Sequence, residues 1–339
     1  MSGTSAARMN YPSAREVEVV VTGIGLALPG VAKYGDLLGS LPGEGGFDPA
    51  TGLLGREMRH KDRASRFALR AAESALQDAA LTDDQASFTG VADSAAVVVS
   101  TNLGNADSVC AAIDTITREG VRGLSPLGLP QTSSNVIAGW VAIRYRLRGP
   151  NLTVCNGVTS GLDALAWARN LIVAGRAEAA VVIGVEPATD VATKVLGAQS
   201  TDAAVAVVLE PADGAARRGA RPRATIAGYA RARNLAAAMT TAGVTEEQSV
   251  GLWLGNEADD GADQPLAATR RIDLESRLGP LSGALGVLQC AAAAAHLESD
   301  ATGNVVATAG GPRHDAAAAL LLTPSPTTRP STQEPGEHP

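Results

Sequence analysis

Few side chains in this sequence can carry covalent chemistry. Three cysteines, Cys110, Cys155 and Cys290, and four histidines supply nearly all of the thiol and imidazole material. A cysteine attacks as its thiolate, which a helix N-terminus or a neighbouring cation stabilises. Cys155, Thr159 and Ser160 bring a thiol and two hydroxyls within six residues, at the end of the apolar run Leu152–Cys155 and the start of the helical pattern Ser160–Ala174. They are the candidate nucleophiles of an acyl-transferring or decarboxylating enzyme. Cys110 and Cys290 lie in apolar helical patterns and read as core residues, as does Cys155 if it stays in its strand. His296 ends an apolar helix with no Glu or His at metal spacing, so no metal or cofactor is expected. His314-Asp315 reads as a polar turn contact. Gly23 and Gly25 follow a strand without a third glycine or a Lys-Ser pair, so a tight turn is expected there rather than a phosphate cradle.

The elements that must position these groups follow from the hydrophobic pattern. The chain has 339 residues, 45% hydrophobic, 19% charged and only 3% aromatic, which implies a large core of Ala, Val and Leu. A net charge of −7 without a basic cluster excludes a nucleic-acid or anionic-membrane surface. No apolar run is long enough to span a bilayer, no signal pattern opens the chain, and the cysteines form no paired framework; a cytoplasmic protein is expected. Strands are predicted at Val17–Val21, Ala95–Ser100, Leu152–Cys155, Ala180–Ile183, Ala203–Leu209, Thr225–Tyr229, Ser249–Leu254, Asn304–Ala307 and Ala317–Leu322. Helices are predicted at Ala64–Ala80, Asn105–Arg118, Ser160–Ala174 and Gly283–Leu297, the last apolar all round and so buried on all sides. Strands interleaved with helices define an α/β protein. The pattern reads twice, over residues 16–200 and 201–323, between disordered ends at 1–15 and 324–339. The fold expected is two duplicated α/β halves, with two mixed sheets sandwiching buried helices.

Several segments, in order, resemble β-ketoacyl synthases of the thiolase-like fold: Val20–Gly30 (VVTGIGLALPG), Asn135–Gly161 (NVIAGWVAIRYRLRGPNLTVCNGVTSG), Ala177–Glu186 (AEAAVVIGVE), Leu278–Gly286 (LGPLSGALG) and Thr308–Leu322. The resemblance implies a nucleophilic Cys at the N-terminus of a buried helix, two His residues that polarise a malonyl thioester, and a supporting Lys. Registering Gly149-Pro150 and Thr159-Ser160-Gly161 puts Val158 at the Cys position. Leu254 and Pro280 fall on the two His positions and Glu275 on the Lys. Valine cannot be acylated, and the other three cannot do what they replace. Cys155 sits three residues too early.

One subgroup of that family lacks the nucleophile: the chain length factor of type II polyketide synthases. The resemblance then implies a heterodimer with an active ketosynthase, served by an acyl carrier protein bearing the growing chain on phosphopantetheine. It places a dimer-forming strand at Leu152, Thr153, Val154 and Cys155. It makes Asn105–Arg118 the helix that gates the substrate tunnel, with Ala106, Val109 and Ile113 on one face, Cys110 beside them, and Asp107 and Asp114 on its flank. The same stripe could instead be core packing. The shortness of the chain around Val191–Thr201 and Tyr229–Thr245 points toward the branch that makes highly reduced polyenes. Two other readings stand beside this one: a thiolase-fold decarboxylase or acyltransferase using Cys155, Thr159 or Ser160, and a stand-alone acyl-binding or regulatory module.

Overall fold

Runs that are apolar on both faces can form only strands covered on both sides, and that requirement sets the layering. The computed structural model describes residues 17–39, 47–48, 53, 55–58, 60–245, 249–255, 266, 269–299 and 302–325. The first half of the chain contains strand β1 (Val19–Ala27), helix α1 (Arg63–Asp78), β2 (Ala95–Ser100), α2 (Ala106–Glu119), α3 (Val136–Tyr145), β3 (Asn151–Val154), α4 (Ser160–Val173), β4 (Ala179–Glu186), α5 (Asp190–Leu196), β5 (Ala203–Pro211) and α6 (Ala212–Arg217). The second contains β6 (Ala224–Ala232), α7 (Leu235–Thr241), β7 (Val250–Leu254), β8 (Arg271–Ile272), α8 (Glu275–Leu278), α9 (Leu285–Glu298), β9 (Asn304–Gly310) and β10 (Ala317–Thr323).

The strands lie in the order β3-β2-β4-β5-β1-β6-β10-β9-β7-β8. β3, β2 and β4 run parallel, and β5 and then β1 join antiparallel. Read inward from the other end, β8, β7, β9, β10 and β6 repeat that scheme. The duplication expected from the sequence is therefore present. Its two sheets are joined into one by a short ladder, Val20 to Thr225 and Val21 to Ala224. By strand order the first unit runs through β5, beyond the division expected after residue 200.

α4 and α9 form the middle layer. α4 packs on β2 and β4 of one half and on β6 and β10 of the other; α9 packs on β9 and β7 and on β4 and β5. Alternate residues of each strand serve the two faces: Ala96 and Val98 meet the α4–α9 layer, while Val97 and Val99 meet α1 and α3. The small-residue composition of the middle layer has a direct cause. A Cβ on Gly161 would lie 2.5 Å from the Gly286 nitrogen, so the two helix backbones touch where each begins. Such contact admits no side chain.

The predicted strands and helices lie within about two residues of the observed ones over most of the chain. β1 runs six residues beyond its expected end, so Gly23 and Gly25 lie within the strand against the α1 backbone and not in the tight turn expected; β4, β6 and β9 each end three residues later than expected, and β8, α3 and the short helices α5 to α8 were not predicted. The terminal stretches 1–15 and 326–339 lie outside the described residues, whereas Ser325, within the tail expected to be disordered, is buried.

Candidate functional site

The carboxyl ends of β2, β3 and β4 and the starts of α4 and α9 converge on one place. Neither helix has a side-chain N-cap; each begins instead in a 3-10 turn, Gly157–Thr159 before α4 and Ser282–Ala284 before α9. Gly157 turns the chain with φ +70°, a conformation that favours glycine. Val158 follows, half-buried, and lines a cavity of about 60 Å³ with Leu235, Glu275, Leu285, Thr308, Ala309, Gly310 and His314. That volume holds about two waters, not a thioester.

Two of the four positions expected to be degenerate, Val158 and Glu275, thus share a cavity. The Glu275 carboxylate is turned onto the backbone, accepting from the N–H of Leu281 at 2.8 Å and of Ser282 at 3.4 Å, just past Pro280. Leu254 is fully buried at the end of β7, and its carbonyl accepts from the Gln289 amide at 3.2 Å. His314, expected as a turn contact, is an exposed member of the cavity wall.

The candidate nucleophiles are placed differently from one another. The Ser160 hydroxyl is buried and fully used: it donates to the Asn102 carbonyl at 2.9 Å and accepts from the Asn156 N–H at 2.6 Å. The Thr159 hydroxyl, also buried, donates to Asp163 at 2.9 Å. Cys155 lies one residue beyond β3 and is exposed, which corrects the expectation of a core residue. The residue is exposed overall, yet partial desolvation of its sulfur, and then the nearby Glu186, push its pKa up, the opposite of thiolate activation. Cys110 is likewise exposed rather than core; Cys290 is buried as expected.

Three polar residues that the sequence reading missed organise the site. The side-chain amide of Asn102, after β2, donates to the Gly157 carbonyl at 2.9 Å and to the Ser282 hydroxyl at 2.9 Å, and its Oδ1 accepts from the Gly157 N–H at 3.1 Å. Glu186, 2% exposed at the end of β4, accepts from the N–H groups of Asn102 (2.5 Å), Leu103 (3.1 Å) and Gly283 (3.1 Å) and from Thr101 (3.4 Å). Burial raises its carboxyl to about 7, with those N–H groups pulling the other way. Asp163 accepts from Asn156 at 2.8 Å, from Thr159 and from the Tyr229 phenol, whose pKa burial and that bond raise. The available signal was an acid at the end of an apolar strand (VVIGVE) and another inside a buried helix (SGLDALAW).

α2 behaves in the opposite way. None of its residues is buried. Ala106 and Val109 are half-exposed, Cys110 and Asp114 are exposed, and Ile113 is 57% exposed with Ile116 extending the stripe. Core packing of this stripe is therefore excluded. Eight of the ten large apolar side chains exposed among the described residues fall between Ile113 and Val173, on α2, the segment after it, α3 and α4. Within that span β3 is, among the described residues, a terminal strand paired with β2 alone, and α3 and α4 flank it carrying the exposed Ile143 and Trp167. Leu152 and Thr153 are half-buried and Val154 is buried. Among the described residues no group of three His, Cys, Asp or Glu could hold a metal, and no helix is long and apolar enough to cross a membrane.

Residues 32–215, a little over half of the chain, match the family model described as the β-ketoacyl synthase N-terminal domain. The chain belongs to the β-ketoacyl synthase family. It is 31% identical over 145 residues to a 3-oxoacyl-[acyl-carrier-protein] synthase 2 of Vibrio harveyi, covering 42% of this chain and 34% of that protein. It spans between about a third and a half of the length of the curated relatives it matches. Two solved structures share the fold. One is a type II polyketide synthase acyl carrier protein in complex with its ketosynthase bound to the hexaketide (TM-score 0.73, 19% identity, 91% of this chain and 99% of that one). The other is the ishigamide ketosynthase/chain length factor (TM-score 0.70, 21% identity, 91% and 99%).

Proposed function

We propose that this chain is a non-catalytic chain length factor that binds an active ketosynthase and walls the tunnel for an acyl-carrier-protein-bound polyketide or polyene chain. The observation that carries the reading is α2: a helix with an apolar stripe at Ala106, Val109 and Ile113 and no buried residue. A stripe of that kind in water implies a cover from outside the chain. The free edge of β3 at Leu152–Val154, between the exposed Ile143 and Trp167, supports a partner that pairs with the sheet there. The filled site around Val158 supports a subunit without condensing chemistry of its own. Ala106, Val109 and Ile113 offer the growing chain no hydrogen-bond donor from their side chains, which suits a reduced, apolar chain better than one rich in carbonyls.

Co-expression with an active ketosynthase and acyl carrier protein tests the proposal. A stable 1:1 heterodimer is expected, with Ala106→Phe, Val109→Phe and Ile113→Phe shortening the product by different numbers of two-carbon units, because the three sites lie at successive depths along the helix (~1.5 Å rise per residue). Equal product lengths from all three intact heterodimers refute the length-setting role.

The exposure of Cys155 favours a second reading, an acyltransferase or decarboxylase with a relocated nucleophile. A stable acyl adduct on Cys155, seen by intact mass after incubation with acyl-carrier protein thioester, would support it over the first.

A further inference from the structure

A helix with no buried residue is not located by its own packing, so its position must be set where it is rooted. Among the described residues, α2 leans chiefly on the segment that follows it and on α5. Its root, residues 101–105, is held by polar groups of the filled site. The N–H groups of Asn102 and Leu103 and the Thr101 hydroxyl converge on Glu186, which also takes the Gly283 N–H from the turn before α9. The Asn102 side chain bonds Gly157 and Ser160 before α4 and Ser282 before α9. Ser100, the last residue of β2, donates to the Gly283 carbonyl at 2.6 Å.

We infer that Asn102 and Glu186 are positioning residues for α2, a clasp that fixes the root of this helix to the starts of α4 and α9 and so sets where its apolar stripe stands. The groups that would surround a reacting carbon in a working site here hold a wall in place. Every group that meets the Glu186 carboxylate in these bonds is a donor, so the clasp needs two acceptor oxygens at that point. The consequence for product length rests on the reading of α2 proposed above; the positioning itself does not.

Hydrogen exchange on the whole isolated chain tests it. Glu186→Gln keeps the side-chain shape but turns one acceptor into a donor that faces other donors. The amides of Asn102, Leu103 and the first turns of α2 are expected to exchange ~10-fold faster than in the wild type, while the interiors of α4 and α9 keep wild-type rates. Faster exchange by the same factor in all three helices would mark a general loss of stability and overturn the proposal, as would unchanged exchange in α2. If Glu186→Gln does not yield folded protein, Asn102→Ala removes the other arm of the clasp and is read in the same way. A second arm uses the heterodimer with an active ketosynthase. Selective loosening of α2 with a shifted or broadened product length supports both the clasp and the length-setting role. Selective loosening with unchanged product length upholds the clasp and removes the length-setting role from α2.

Discussion

The start of α4 and the outer face of α2 stand in contrast. At α4, hydroxyls, amides and carboxylates are drawn inward and satisfy one another: Ser160 with Asn102 and Asn156, Thr159 with Asp163, Glu186 with four donors. At α2, Ile113 and Ile116 are turned outward, and no residue of the helix is buried. A buried polar group without a partner costs about 1–3 kcal/mol, and the closed network at α4 avoids that cost. An exposed isoleucine forgoes about 1.5–3 kcal/mol of burial. The isolated chain therefore gives up stability at α2 and none at α4. The two regions differ in what they leave to the solvent: paired polar groups turned inward at α4, unpaired apolar ones turned outward at α2.

Three substitutions break or sharpen this contrast. The largest effect is expected at the closed end. Gly161→Val drives a branched side chain into the Gly286 backbone, where the first added carbon already stands at 2.5 Å. Loss of at least ~3 kcal/mol, or failure to fold, is expected in denaturant unfolding. A variant as stable as the wild type would mean that α4 and α9 do not touch.

Ile113→Arg probes the open end. At 57% exposure its effect on the stability of the isolated chain should stay within about 0.5 kcal/mol. Binding to a co-expressed ketosynthase should weaken by ~10-fold or more, as for a truncated interface anchor. A lower melting temperature with unchanged binding would show that the stripe packs within this chain.

The smallest effect is expected from Val158→Cys. A thiol there is set in a cavity of about 60 Å³ whose polar lining residues are Glu275, Thr308 and His314; on the reading proposed above it has no pair of imidazoles to polarise a thioester. Stability close to wild type and no condensation of malonyl thioesters by the variant alone are expected. Product formation by that variant would show that the electrophilic support survives.

Much of the fold was legible because buried strands and buried helices leave strong apolar patterns, as in Ala95–Ser100 and Leu285–Leu297. α3 escaped because Val136–Tyr145 mixes Gly, Ala, Ile, Trp and Arg without a clean period. At the site, Val158 and Glu275 were singled out from flanking residues, and both line one cavity. The roles of Asn102, Glu186 and Asp163 were not, since each acts on groups 55 to 180 residues away or on a helix root, and no local spacing encodes that. Nor could periodicity tell the α2 stripe from core. A row of apolar residues every third or fourth position reports that something covers it, not whether the cover comes from the same chain.

The two ends of the sheet differ in one further respect. β3 offers four residues of open backbone, whereas β8, its counterpart in the repeat, is two residues long and carries Arg271 over the Trp253 ring. A strand of two residues is a poor template for another chain. Among the described residues, β3 is therefore the better end at which to lengthen the sheet. A protein with two good edges can add copies without limit and form fibres; one with a single edge is used up by the first partner it meets. On the reading proposed above, the shortness of β8 makes this molecule a chain terminator in the sense of polymer chemistry: a partner docked at β3 leaves, among the described residues, no second edge of that length, which favours a discrete pair over a filament.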